Sequence, residues 1–461
     1  LRYKSISQEQ AILLFGVLIS FILFHFSVSS YFINIFTSII ISVYGVTLFF
    51  NEKERFQTII HPLVLRAIYK FFIGIAGAFL TLFIFPDYEG MQVSIIQVPI
   101  TNIAFFSILY ILGELFYITA FKNHSKNINL DPVFKSKKFS INWFVISATF
   151  FLLFALFPSA FKFLGSLGVL LNRIGFALLL LIIYSNIKDN IKHPLLVFST
   201  LVVVGLNINK LSKAAIFLAI IPYLFYILIK YRKNLTRLLL VYLLPLGSAL
   251  YLFVFPFVSV ARYYYFGDNP EQISFSTAFN MVYNVGFLEK YSNISSAGSI
   301  FYQREIYEII FLRMYEMPVY AVVVDFVNEG GYKFGEAFDK LIYGLIPRLI
   351  WPEKPIMVSS YEFGNLLGAE GTAIGVSDVG DLYWNFGILG IPIGMYILGM
   401  ITARFFNFIL RINNSVVYFL GYTLIIYSGM ASSGSEFVAS LLGWFQYLVI
   451  FYLLYLFLRI K

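Results

Sequence analysis

The sequence contains no cysteine, which excludes disulfide staples, thiolate metal sites and cysteine nucleophiles and suits a cell-envelope protein that avoids thiol chemistry. Charge is scarce as well: Asp, Glu, Lys and Arg make up 12% of the 461 residues, against 59% hydrophobic residues and a mean hydropathy of +0.81. Ordinary soluble domains carry about a quarter charged residues, so no soluble surface can be built from this composition. Histidine is limited to His25, His61, His124 and His193, and no two of them have metal-ligand spacing. The phosphate-binding GxxxxGK[ST], a GxGxxG after a strand, HExxH and GxSxG are all missing, which argues against phosphate-loop and serine-hydrolase chemistry. There is no internal repeat, low-complexity tract or inverted pair of broken helices. No metal and no cofactor is expected.

What the chain has in abundance is long apolar runs. A helix needs roughly 20 mainly apolar residues to cross the hydrocarbon core with every backbone polar group satisfied inside it. Such runs lie near 11–28, 31–50, 67–86, 98–120, 142–161, 169–186, 195–206, 215–230, 238–258, 386–403, 415–432 and 438–458, about twelve spans, with 195–206 short for a full crossing. Arg2 and Lys4 precede the first run and no small-residue cleavage pattern follows it, so that run reads as a retained anchor. The expected fold class is an all-α polytopic membrane protein: a single membrane domain over 1–461 with one elaborated loop over 259–385.

The formal net charge of +9 does not point to nucleic acid, because the basic residues fall between apolar runs instead of clustering on one solvated face. Under the positive-inside rule, Arg2 and Lys4; Lys53, Arg55, Arg66 and Lys70; Lys122, Lys126, Lys135, Lys137 and Lys138; Lys188 and Lys192; Lys230, Arg232, Lys233 and Arg237; Arg404 and Arg411; and Arg459 and Lys461 mark cytoplasmic segments. Both termini are then cytoplasmic and 259–385 lies outside a bacterial cytoplasmic membrane, with membrane lipids as its surroundings.

That outer loop carries helical patterning. Phe338, Leu341, Ile342, Leu345, Ile346 and Leu349 recur at helix spacing and predict an amphipathic helix on the membrane surface, broken at Pro347. A second helical stretch is expected from Ile300 to Asn328, stopping at Gly330 and Gly331. Basic, acidic and aromatic residues recur together at Arg262-Tyr263-Tyr264, Arg304-Glu305, Arg313 and from Arg348 through Trp351 to Lys354. Arginine offers a planar fork for phosphate, and Tyr and Trp offer flat faces for sugar rings or the membrane interface. Any one of these arginines also serves to neutralise a nearby carboxylate or lipid head group. Lys210 and Lys213 fall at the expected outer face against the positive-inside bias, where they snorkel to the interface or capture an anionic head group.

Three stretches together resemble the Wzy-type oligosaccharide repeat-unit polymerases, or O-antigen polymerases. Leu345-Ile346-Pro347-Arg348-Leu349-Ile350-Trp351-Pro352-Glu353-Lys354-Pro355 resembles the family's loop motif, and Gly380-Asp381-Leu382-Tyr383-Trp384-Asn385-Phe386-Gly387-Ile388-Leu389-Gly390 is similar to its entry into the next helix. Leu211-Ser212-Lys213-Ala214 stands where the family usually has Ser-Arg-small, so Lys213 keeps the charge without the bidentate fork. The resemblance is close in the C-terminal half and only architectural in the N-terminal half. It implies a GT-C-like membrane glycosyltransferase architecture shared with O-antigen ligases. It also implies transfer of a growing glycan from a polyprenyl diphosphate to a sugar hydroxyl on another lipid-linked unit, with inversion. On that basis Arg348 and Arg313 are catalytic candidates that stabilise the departing diphosphate, and Glu362 and Asp381 are the candidate bases, with Glu353 and Asp378 behind them. Lys213, Arg262, Lys210, Tyr264, Trp351 and Lys354 are the substrate-binding candidates. The implied partners are polyprenyl-diphosphate-linked oligosaccharides and a chain-length regulator and flippase of the same pathway. An O-antigen ligase and a lipid-linked oligosaccharide flippase or other transporter are the alternatives; a transporter should line a midplane cavity with charges, whereas the charges crowd into the outer loop.

Overall fold

The computed structural model describes residues 6–56, 61–85, 90–93, 96–125, 315–336, 359–368, 374–411 and 436–445, with isolated positions beside them. These residues are mostly helical, and five helices among them are long and apolar enough to cross a membrane. The chain is a membrane protein.

Helix α1 (Gln8–His25) opens on a capping box in which the Ser7 hydroxyl accepts from the Gln10 amide and the Gln10 side chain accepts from the Ser7 amide. Helix α2 (Ser30–Phe56) runs back beside α3 (Pro62–Phe83), which starts with His61 as N-cap and proline in its first turn. Gly45 lets the two backbones close up: a Cβ there would stand 2.7 Å from the Phe71 amide nitrogen and 2.8 Å from the Ala67 oxygen. Small residues at such crossings replace the hydrophobic driving force that lipid does not supply. A two-stranded antiparallel hairpin, β1 (Gly90–Val93) and β2 (Ile96–Pro99), leads into α4 (Ile100–His124). This hairpin departs from the all-α expectation. It marks one end of the bundle, here the hairpin end. At the opposite end Lys122 Nζ stands 2.8 Å from Glu9 Oε2 and 3.3 Å from Glu52 Oε1, tying α4 to α1 and α2.

Helix α5 (Met317–Gly330) belongs to the stretch expected as an outer loop, yet Met317 and Val319 to Val324 are buried against α4. Just before it, the Tyr315 hydroxyl donates to Asn34 Oδ1 at 2.6 Å and meets Ser107 Oγ at 2.9 Å, so the segment is inserted among α2, α3 and α4. Its end at Gly330 and Gly331 is where the two glycines predict it, with Gly331 at φ 80°.

Short helix α6 (Ser359–Leu366) precedes α7 (Asp378–Leu410). The latter is two helices folded on a hinge, because Gly387 has φ 65° and ψ −158° in its middle. A Cβ on Gly390 would lie 2.9 Å from the Leu382 oxygen, whereas eight residues of straight helix rise about 12 Å. The arm 378–386 climbs toward the hairpin end, where Tyr383 faces Phe105, and the arm 388–410 descends beside α4, where Asn407 Nδ2 donates to the His124 oxygen at 2.5 Å. One broken helix of the kind that sequence inspection did not find is thus present. Residues 437–445 form a further helix, with Trp444 against Phe405. The other apolar runs lie outside the described residues.

Candidate functional site

Two clusters of charge occupy the ends of the short arm 378–386. The hairpin-end cluster is built on the tight turn after α5, where Gly331, Phe334 and Gly335 have φ of 80°, 47° and 91°. The turn is pinned by the Lys333 amide donating to the Trp384 oxygen at 3.0 Å. This delivers Lys333 Nζ to a point 3.6 Å from the Trp384 ring centroid and 2.5 Å from Glu362 Oε1. Trp384 is buried between Phe326 and Phe363, at centroid distances of 5.8 and 6.0 Å. Glu362 is 49% exposed in its side chain and has no other hydrogen-bond partner among the described residues. Tyr361, its neighbour in sequence, and Tyr332, the neighbour of Lys333, are both exposed. A half-exposed carboxylate held on one oxygen by an ammonium can accept a proton from an incoming hydroxyl.

Asp381, the other base candidate, is differently placed. It is 1% exposed, Oδ1 accepts from Asn385 Nδ2 at 3.0 Å, and Oδ2 accepts from the Val438 amide at 3.2 Å at the start of helix 437–445. Capping an N-terminus is favourable for a carboxylate, since the helix dipole is positive there. Glu436, two residues before Val438, accepts from the Ser360 amide and ties α6 to this helix.

At the inner end of the arm, Ser377 caps the helix by accepting from the Gly380 amide at 3.1 Å, and Asp378 Oδ1 accepts from Ser440 Oγ at 2.7 Å. Asp378 lies in electrostatic reach of Arg66 and Lys70. Those two residues are one turn apart within α3 and point into the bundle. Arg66 Nε and a terminal nitrogen meet Glu114 at 2.9 and 2.5 Å, and Lys70 Nζ meets Glu114 Oε1 at 2.7 Å. The Lys70 ammonium also donates to the Tyr110 hydroxyl, and the Arg66 guanidinium lies 3.8 Å from the Tyr117 ring centroid. Glu114 is ten residues from the end of α4, about 15 Å along its axis, so this is ionic structure inside the membrane bundle.

Near the hairpin end, Asn102 Nδ2 donates to Asp325 Oδ1 at 2.5 Å. Burial raises the Asp325 carboxyl above the usual range, the Asn102 bond pulls it down and the Glu329 charge pushes it up.

Glu362 is linked to Trp384 through Lys333, which pairs with the one and lies over the ring of the other, and Trp384 follows Asp381 by three residues. Glu353 is exposed and Trp351 half-buried. Arg348, Arg313, Lys213, Arg262, Lys210, Tyr264 and Lys354 lie outside the described residues. Lys333 and the Arg66–Glu114–Lys70 triad were missed. The available signals were Glu114 interrupting an apolar run and a cationic pair spaced i, i+4 at the start of another. Among the described residues no group of three or more His, Cys, Asp or Glu could hold a metal ion. No family model matches the chain, and no curated protein or solved structure matches it.

Proposed function

We propose that the protein polymerises polyprenyl-diphosphate-linked oligosaccharide repeat units at the outer face of a bacterial cytoplasmic membrane. The observation that carries this reading is where the second family-like stretch falls: Gly380–Gly390 is the short arm and hinge of α7, and its Trp384 underlies the Lys333–Glu362 pair. In the reaction, Glu362 takes the proton of the acceptor sugar hydroxyl as its oxygen attacks the anomeric carbon of the growing glycan. The bond from that carbon to the carrier oxygen breaks, and its electron pair leaves with the polyprenyl diphosphate. Arg348 and Arg313, with Arg262 and Lys213 on the bound head groups, offset the negative charge that develops there. Glu362 is preferred to Asp381 as base because both oxygens of Asp381 are already engaged. Lys210, Tyr264, Trp351 and Lys354 supply further contacts to head group and sugar. The test is incubation of purified protein with a defined polyprenyl-diphosphate repeat unit. A ladder of products is expected, and unchanged single units would sink the proposal.

A second reading is movement of the lipid-linked oligosaccharide across the bilayer. It is favoured by the broken helix α7 and by the charges of Arg66, Lys70 and Glu114 inside the bundle, features that transport proteins use near the midplane. Cells lacking the gene separate the readings: a lost polymerase leaves single repeat units attached at the outer surface, and a lost transporter leaves them sequestered on the cytoplasmic side.

A further inference from the structure

Residues 436–440, where helix 437–445 begins, reach all three segments that carry the hairpin-end cluster. The Glu436 carbonyl accepts from the Ser440 amide at 2.8 Å, which makes Glu436 the N-cap of the helix. Its side chain, in a residue 2% exposed, reaches across to accept from the Ser360 amide at the start of α6. The Val438 amide, second in the helix, donates to Asp381 of the short arm at 3.2 Å, and Ser440 donates to Asp378, one turn earlier in the same arm. Between these bonds the Phe437 ring lies 6.0 Å from Phe338, which follows the Lys333 turn and lies 5.1 Å from Phe386. Ser360 is buried, and its carbonyl accepts from the Ile374 amide at 2.9 Å. The start of α6 is therefore held through both backbone polar groups of one residue, two positions before Glu362, whose carboxylate stays half-exposed against Lys333.

We propose that Glu436 is a positioning residue for Glu362: through the Ser360 amide it sets where α6 stands on helix 437–445, and with it the spacing between Glu362 and the Lys333–Trp384 pair docked on the same helix start. A bond from a backbone amide to a carboxylate is charge-assisted and stronger than one between neutral groups, and because it grips the backbone it places a whole helix and not one side chain. The Lys333–Glu362 ion pair does not fix that spacing by itself, since a half-exposed pair contributes little. The consequence for turnover rests on the polymerase reading, whereas the placement of α6 does not.

The test uses the full-length chain, whose lack of cysteine lets spin labels be placed at will. Labels at Thr101→Cys, at the start of α4, and Leu366→Cys, at the end of α6, report by pulsed electron resonance how α6 stands on the bundle. A second pair, Thr101→Cys with Leu389→Cys just past the hinge, reports the short arm. All three positions are exposed. A single narrow distance is expected for each pair in the labelled parent. Glu436→Ala should shift and broaden the α6 distance and leave the other, because the arm keeps its bonds to Val438 and Ser440. Glu436→Asp keeps the charge but withdraws the acceptor by one methylene, so it should shift the α6 distance too and carries the test if Glu436→Ala does not fold. Glu436→Gln, whose amide oxygen can still accept from Ser360, should retain the parent distance, as should Gly443→Ala, with nothing within 4 Å of the added carbon. An α6 distance that stays narrow and unmoved without the Glu436 carboxylate in place overturns the proposal, and so does a displacement of both pairs together, which marks general loosening. A further arm rests on the polymerase reading: kcat per folded Glu436→Ala molecule should fall about 100-fold, as for an ångström-scale misplacement, with KM little changed and Glu436→Gln recovering most of the loss. Full kcat in that variant overturns the positioning role, while a parent protein that does not polymerise refutes the polymerase reading and leaves the distances decisive for α6.

Discussion

Gly394 packs on Leu382, with a Cβ built on the glycine standing 3.0 Å from Leu382 Cγ, although twelve residues of straight helix would separate them by about 18 Å. That contact exists only because Gly387 adopts a backbone conformation close to one that glycine alone tolerates. Any Cβ at position 387 would also meet the Tyr332 ring at 3.1 Å. Gly387→Ala should therefore destabilise the protein by about 1–3 kcal/mol through backbone strain, and Gly394→Val should destabilise it through a clash with Leu382. Gly443→Ala, in helix 437–445 with nothing within 4 Å of the added carbon, is the control and should be neutral or slightly stabilising. Melting of the detergent-solubilised variants decides it. A Gly387→Ala protein that melts with the parent would show that the hinge is not strained.

The apolar runs located α1 to α4 to within a few residues, because twenty consecutive apolar positions leave helix as the available structure in lipid. The glycine pair after Asn328 located the end of α5 for an equally local reason. The hinge at Gly387 was not legible, since the short arm 378–386, with Asp378, Asp381 and Asn385, reads as the end of a polar loop, and the apolar run that starts at 386 carries no sign that a helix precedes it and folds back on it. The ionic role of Arg66 and Lys70 was not legible, because the positive-inside rule counts basic residues near a run without knowing which of them have a buried partner. Glu114 is that partner, and it lies in a different helix. Of the hairpin-end cluster, Glu362 was singled out from its residue type and its loop, whereas Lys333 gained its place only through the contact of the turn after α5 with α7.

The triad itself predicts an asymmetry between partial and complete removal. Glu114→Ala leaves two cations buried without their carboxylate and should cost about 3–5 kcal/mol, visible as lost membrane abundance. The triple variant Arg66→Met, Lys70→Met, Glu114→Leu removes the charges together and should be better tolerated than the single one, because no unpaired ion remains. Fluorescence size-exclusion traces of the two proteins provide the comparison. A triple variant less abundant than Glu114→Ala would contradict it.

For Asp325 the sign follows from its raised carboxyl. The folded protein binds this proton more tightly than the unfolded chain, so the group's stabilising contribution is present at acid pH. It is lost as pH rises from the ordinary carboxylate value through the raised one. At neutral pH the ionised group is a liability, and Asp325→Asn should raise the melting temperature by about 1–2 °C. The gain should vanish below the ordinary carboxylate range, where the native residue is protonated as well. Melting curves across that interval settle it, and a gain of equal size at every pH would refute the electrostatic origin.

Glu362 and Asp381 are the two carboxylates that family resemblance put forward as bases, and their surroundings predict opposite consequences of substitution. Glu362 is half-exposed and makes one ion pair, with Lys333, so its loss should change stability by no more than about 1 kcal/mol. If it accepts the hydroxyl proton, Glu362→Gln should lower turnover by about 100-fold or more. Asp381 is buried, accepts from Asn385 and caps helix 437–445 through Val438. Removing it orphans the Val438 amide and takes one of the two bonds of the Asn385 side-chain amide, which still donates to the Asp381 backbone oxygen at 2.8 Å, so Asp381→Ala should cost about 1–2 kcal/mol and lower abundance. Its activity per folded molecule should exceed that of Glu362→Gln. Asp381→Asn should recover most of the stability, because an amide oxygen can still accept one of the two bonds. Melting temperature, membrane abundance and product ladder, measured together on the three variants, separate a base from a cap. Normal turnover in a folded Glu362→Gln protein, with none in a folded Asp381→Asn protein, would reverse the assignment.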